Sequence, residues 1–156
     1  MNLEWVKYLV VGLLILFLDQ TVLSHLSLWG VSFDPLLIYL IWILPKQGRI
    51  ATIYTVAFLA IIQDALLDTW GMYLLSKSVL VLFFHNYLIQ KFETKIFVGQ
   101  FFGYSLFIAF IHNLTFYLFA SITGDYATGW WPFTLILLSG MYTAFISLVT
   151  YLIYYK

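Results

Sequence analysis

The chain has 156 residues, of which 63% are hydrophobic, 21% aromatic and only 9% charged, with a mean hydropathy of +0.97. Soluble domains carry about a quarter charged residues, so this chain lacks the polar surface to cover a water-soluble globule and reads as an integral membrane protein. Seven basic residues balance seven acidic ones, leaving no basic stripe for nucleic acid, and the absence of cysteine removes disulfides, zinc–thiolate sites and a cysteine nucleophile.

Turn residues and charges divide the chain into six predicted helices, helix 2 being short. Helix 1 is expected over Leu3 to His25. Its apolar run is longer than a signal peptide's core and no small-residue cleavage site follows, so it reads as a retained helix. After the link "LSLWGVSFDP", helix 2 is expected over Asp34 to Leu44, too short to span upright unless it starts in the link or the bilayer is locally thin. "PKQGR" breaks the chain before helix 3, Ile50 to Leu67. "DTWG" (Asp68 to Gly71) reads as a tight turn into helix 4, Met72 to Gln90. "KFETK" precedes helix 5, Ile96 to Ile122, and the polar loop Thr123 to Pro132 precedes helix 6, Phe133 to Tyr155. Period-2 alternation over ten-residue segments is absent, which argues against a transmembrane barrel. The expected fold is therefore all-α: one polytopic transmembrane domain, residues 1–156, as a compact six-helix bundle.

Basic residues near membrane ends favour the cytoplasmic side. With six spans, Lys7, Lys46 and Arg49, Lys91 and Lys95, and Lys156 all fall on one face. Asp34, Asp68 and Asp125 fall on the other, and the remaining cation, Lys77, lies within helix 4. Both termini are therefore expected in the cytoplasm. Omitting helix 2 would put the basic clusters on opposite faces.

Charge inside a bilayer costs at least about 2.5–3.5 kcal/mol per residue, so such groups pair or line a cavity. Asp64 and Lys77 lie at similar predicted depth on antiparallel neighbours at about 1.5 Å per residue. The spacing therefore suggests that Lys77 pairs with Asp64, with Asp19 sharing it and His112 joining the polar cluster. The structural alternative is a Lys77 that snorkels along its stem and an Asp64 that reaches the interface. His85 and Asn86, and His112 and Asn113, read as interhelical hydrogen-bonding residues. His25 is expected at the interface. The three histidines lie on three helices without metal-site spacing. Trp5, Trp29, Trp70, Trp130 and Trp131 fall near predicted helix ends, as an aromatic belt. Gly99 and Gly103 match the small-xxx-small pattern of close helix packing. No P-loop, HExxH or GxSxG motif is present, and Arg49 is the only arginine, which makes phosphate clamping difficult. The chain is thus expected not to be an enzyme, and no cofactor is implied.

Two stretches, "FDPLLIYLIWILP" (Phe33 to Pro45) and "FLAIIQDALLDTWGMYLLSKSVLVLFF" (Phe58 to Phe84), resemble the rod shape-determining MreD family. That family places Asp-Pro or Pro-Asp before a short apolar helix, then an Asp about seven residues before a Gly, then a Leu-x-Lys. The matching positions are Asp34 and Pro35, Asp64, Gly71, and Leu75, Ser76 and Lys77. The likeness covers helices 2 to 4. Where relatives often carry a Gly three or four residues before the Asp, this chain has Ala60 and Ile61. The resemblance implies a non-enzymatic component of the bacterial cell-elongation complex in the cytoplasmic (inner) membrane. Such a component would bind MreC and, through it, MreB, RodA and a class B penicillin-binding protein in support of peptidoglycan synthesis and cell shape. The alternatives are a substrate-binding subunit of an energy-coupling-factor vitamin transporter, whose Ala-xxx-Ala docking patch helix 1 lacks, and a small transporter using Asp19, Asp64 and Lys77. A further expectation is a pocket for a lipid or small ligand near Asp64, Lys77 and His112.

Overall fold

A computed structural model describes residues 4–27, 31–92, 96–123 and 131–154. Among them six α-helices form: α1 Glu4–Thr21, α2 Pro35–Ile43, α3 Arg49–Leu67, α4 Met72–Phe92, α5 Val98–Thr123 and α6 Trp131–Tyr154. The expected six-helix bundle is the observed fold. Helix 1 stops earlier than the sequence suggests, at Thr21, and a separate 3₁₀ turn covers Leu23–His25. Trp29, Lys95, Asp125, Trp130 and Lys156 lie outside the described residues.

Each long helix packs beside its successor: α3 along α4, α4 against α5, and α5 along α6. α1 lies against α2 and α3, and α2 also reaches α5 and α6. This makes α2 the axis of the core. Its 9 residues span only about 14 Å at 1.5 Å per residue, against about 30 Å of hydrocarbon. It is apolar on every side, the pattern of a helix surrounded by protein. Leu37, Leu40, Ile41 and Ile43 are buried and join Val56 of α3, Leu80 of α4 and Ile108 of α5 in the main cluster. Pro35 at its first turn needs no N–H partner, and Asp34 caps it by accepting the Leu37 N–H at 2.9 Å. A 3₁₀ turn at Leu44–Lys46 ends it before Gly48 starts α3.

The polarity of the bundle is inverted relative to a soluble one. Phe17, Ile50, Tyr54, Phe83 and Ile153 face outward, each more than half exposed, while Thr52, Thr55, Ser76, Lys77, Ser105 and Ser147 are buried. Hydrocarbon solvates the first set and cannot hydrogen-bond the second, so the polar groups find partners inside. Ser105 meets Ser147 across the α5–α6 contact at 3.3 Å, and His85 Nε2 lies 3.1 Å from the Gln47 carbonyl. Four helices (α3 to α6) are long and apolar enough to cross a membrane. α1, with 18 residues that include Glu4, Lys7 and Asp19, and the short α2 are not among them. The chain is a multi-pass membrane protein.

Gly99 and Gly103 do not serve close packing within this chain: a Cβ at either would meet nothing within 4 Å. The close approach is at Gly12 instead, where a Cβ would collide with a Leu59 methyl and force that side chain aside.

Candidate functional site

The tight turn and the buried charges meet at one end of the bundle. The expected turn at Asp68–Gly71 is present and takes left-handed backbone at three positions: Asp68 (φ 55°), Trp70 (φ 47°) and Gly71 (φ 90°). It reverses the chain within four residues, leaving the first N–H groups of α4 without intrahelical partners. Asp64, a turn upstream in α3, supplies them. Its Oδ1 accepts from Thr69 Oγ1 at 2.6 Å and from the Tyr73 N–H at 3.0 Å, and its Oδ2 from the Leu74 N–H at 2.9 Å. Asp64 therefore caps α4 from the preceding helix, with its negative charge at the positive end of the α4 dipole.

That arrangement corrects the expected pairing. Both Asp64 oxygens are committed to the turn, and Lys77 pairs with Asp34. Lys77 Nζ donates to Asp34 Oδ2 at 2.6 Å and to Gln63 Oε1 at 2.7 Å, and it sits 4.3 Å from the centre of the Tyr73 ring. The Lys77 side chain is fully buried and that of Asp34 is 11% exposed, so snorkelling is also excluded. The physical cause is the length of α2. Because this helix is too short to reach the far face, its N-terminal cap lies inside the bundle. The sequence placed Asp34 in an outer loop; the fold draws it inward to the depth of Lys77. The link before it is tied to α6, where Thr143 Oγ1 accepts the Asp34 N–H at 3.3 Å and Ser139 Oγ donates to the Ser32 carbonyl at 2.9 Å.

His112 completes the far wall. Its Nε2 lies 3.1 Å from Ser76 Oγ and 3.8 Å from Asp34 Oδ2, and its Nδ1 lies 3.2 Å from Asn113 Oδ1. Asn113 Nδ2 donates to the Ile136 carbonyl at 3.1 Å, which fixes the amide with its oxygen toward the histidine. A proton on Nδ1 suits the Asn113 oxygen, while Nε2 borders the Ser76 hydroxyl, which itself donates to the Tyr73 carbonyl at 3.2 Å.

A cavity of about 300 Å³ opens beside this network, lined by Asp19, Asp34, Gln63, Tyr73 and His112 among others. Asp19 reaches it from α1 and forms no hydrogen bond to the described residues. Of the residues singled out from sequence, Asp19, Asp34 and His112 thus share a cavity, Lys77 lies directly behind Asp34, and Asp64 and Gly71 belong to the supporting turn. Gln63, the second acceptor for Lys77, was missed. Its signal was position: it is a polar side chain adjacent to Asp64 in an otherwise apolar helix. Among the described residues no group of three or more His, Cys, Asp or Glu side chains could hold a metal ion.

The fold and site together define a polytopic helical membrane protein with a buried Asp–Lys pair beside a small polar cavity. No family model matches the chain, and neither a curated protein nor a solved structure matches it.

Proposed function

We propose that this protein is an MreD-like membrane component of the bacterial cell-elongation complex, residing in the cytoplasmic membrane and binding MreC. The observation that carries the proposal is convergence. The residues on which the resemblance rests are spread from Asp34 to Lys77, and they form one connected unit. Asp34 caps α2 and holds Lys77, Asp64 caps α4, and Gly71 makes the turn that brings α4 back along α3. A sequence signature whose members support one another has a physical reason to occur together. In this reading the unit is structural: it locks α2, α3 and α4 into a fixed shape whose outer surface a partner helix recognises. Short connections between the helices leave little room for chemistry, consistent with a non-enzymatic role.

The cavity at Asp19 favours a second reading, a solute-binding subunit of an energy-coupling-factor transporter or a small transporter. One experiment separates them: tagged protein is extracted from its host in mild detergent and co-purifying proteins are identified by mass spectrometry. MreC with cell-wall synthases supports the first reading. A transporter scaffold with its ATPases supports the second and makes Asp19, Asp34 and His112 the solute site. Recovery of neither set removes the cell-elongation reading.

A further inference from the structure

A second concavity lies at the opposite end of the bundle from the Asp34–Lys77 pair. It is a groove of about 1080 Å³ between α1 and α3, walled by Trp5 and Leu9 on one side and by Ile50, Tyr54, Phe58 and Ile61 on the other. Those four α3 residues are exposed, from 49% at Phe58 to 72% at Ile50. Their spacing of four, four and three puts them on one stripe of the helix. From Ile50 to Ile61 the stripe runs about 17 Å at 1.5 Å per residue, little more than half of the roughly 30 Å hydrocarbon thickness. An occupant therefore needs an apolar portion about one leaflet long.

The head of the groove is polar and electropositive. Lys46 lines it, exposed and without a carboxylate partner among the described residues, its ammonium held 5.3 Å from the Trp42 ring centre and 5.4 Å from that of Tyr154. Gln47 also lines it. This side chain is 8% exposed and its amide is turned inward, 3.4 Å from the Thr55 hydroxyl, so it adds polarity beneath the groove without reaching into it. Gly48, the N-cap of α3, provides no side-chain oxygen for the first-turn N–H groups, and a Cβ there would meet nothing within 4 Å. The positive end of the 19-residue α3 dipole is thus open at the same place.

We infer that the α1–α3 groove binds an anionic phospholipid of the adjoining leaflet, its phosphate at Lys46 and the start of α3 and an acyl chain along Tyr54, Phe58 and Ile61. A transmembrane helix of a partner would fit less well. It would need a groove running the full thickness, and its backbone would leave the Lys46 charge unanswered. The inference is independent of the cell-elongation reading.

The test uses full-length protein in mild detergent supplemented with equal amounts of phosphatidylglycerol and phosphatidylcholine, with bound lipid counted by native mass spectrometry. Phosphatidylglycerol should be retained over phosphatidylcholine by about fivefold or more, the effect of a single juxtamembrane cation. Lys46→Gln should abolish most of that preference. Lys7→Gln, which alters an exposed lysine that does not line the groove, should keep it. Phe58→Ala, a change at an outward-facing position that leaves the core intact, should lower retention of both lipids. Equal retention of the two lipids by the unaltered protein would overturn the assignment. So would a preference that survives Lys46→Gln, or a co-purifying membrane protein that crosslinks to position 54 in place of lipid.

Discussion

Removing the ammonium of Lys77 would leave the Asp34 carboxylate buried beside His112 and a carboxamide oxygen, with no cation to balance it. Breaking a buried pair from one side costs about 3–5 kcal/mol, because the survivor stays desolvated. Lys77→Met should therefore lower the thermal unfolding midpoint in mild detergent substantially. Adding Asp34→Asn should restore most of the loss, since asparagine still caps α2 and carries no charge. A Lys77→Met protein as stable as the parent would show that the pair is not holding the bundle. Asp64 makes a different prediction. Its role is to cap α4, so Asp64→Ala should cost about 1–2 kcal/mol, the range of a lost N-cap, in the same unfolding assay. The two carboxylates look alike in the sequence. What separates them is the turn between α3 and α4, which claims every oxygen of Asp64 and none of Asp34.

At the level of elements, α2 and the α3–α4 turn carry the distinctive geometry. Lipid tails are as apolar as leucine, so packing in this bundle is held by close contact and not by escape from water. Leu37 is fully buried at the centre, and Leu37→Ala should cost about 2–5 kcal/mol by opening a cavity that the rigid surroundings cannot fill. Phe83 is 75% exposed toward lipid, and Phe83→Ala should leave the unfolding midpoint nearly unchanged. Similar losses for both would contradict the inside-out packing. Gly71 sits at φ 90° with open space around its Cα, so Gly71→Ala meets backbone strain alone, about 1–2 kcal/mol. The helices and this turn were legible in the sequence because long apolar runs and the Asp-Thr-Trp-Gly punctuation are local signals. The fate of α2 was legible only in part. Its length showed that it could not span upright, but its burial among α1, α5 and α6 is a tertiary outcome. The correct partner of Lys77 follows from that burial, 43 positions away in the chain. The depth count along α3 and α4 contained no information about it. The Gly99 and Gly103 motif failed for a related reason: spacing marks a smooth helix face but does not say what covers it.

For the molecule as a whole, the charges at the two ends of the bundle predict which end faces the cytoplasm. Lys46 and Trp5 share a groove, so the N-terminus of α1 and the α2–α3 connection lie at one end, and the Asp68 turn lies at the other, beyond α3. Lys7, Lys46 and Arg49 therefore cluster at the groove end, while the turn end carries Asp68 and Trp70 without a described basic residue in that turn. Positively charged connections stay on the cytoplasmic side, and the prediction is that the groove end faces inward and the Asp34–Lys77 cavity outward. The natural absence of cysteine makes this directly measurable. Single changes Lys46→Cys and Asp68→Cys each place one thiol at an exposed position at opposite ends. In intact cells a membrane-impermeant maleimide should label the Asp68 position and leave the Lys46 position untouched until the cells are broken. The reverse pattern would turn the molecule over. It would put the polar cavity on the cytoplasmic side and the basic groove on the outer face, and a cavity opening inward could no longer receive a solute from outside. The labelling experiment therefore decides more than topology: it fixes which aqueous compartment can reach Asp19, and so which of the two functional readings the cavity can serve.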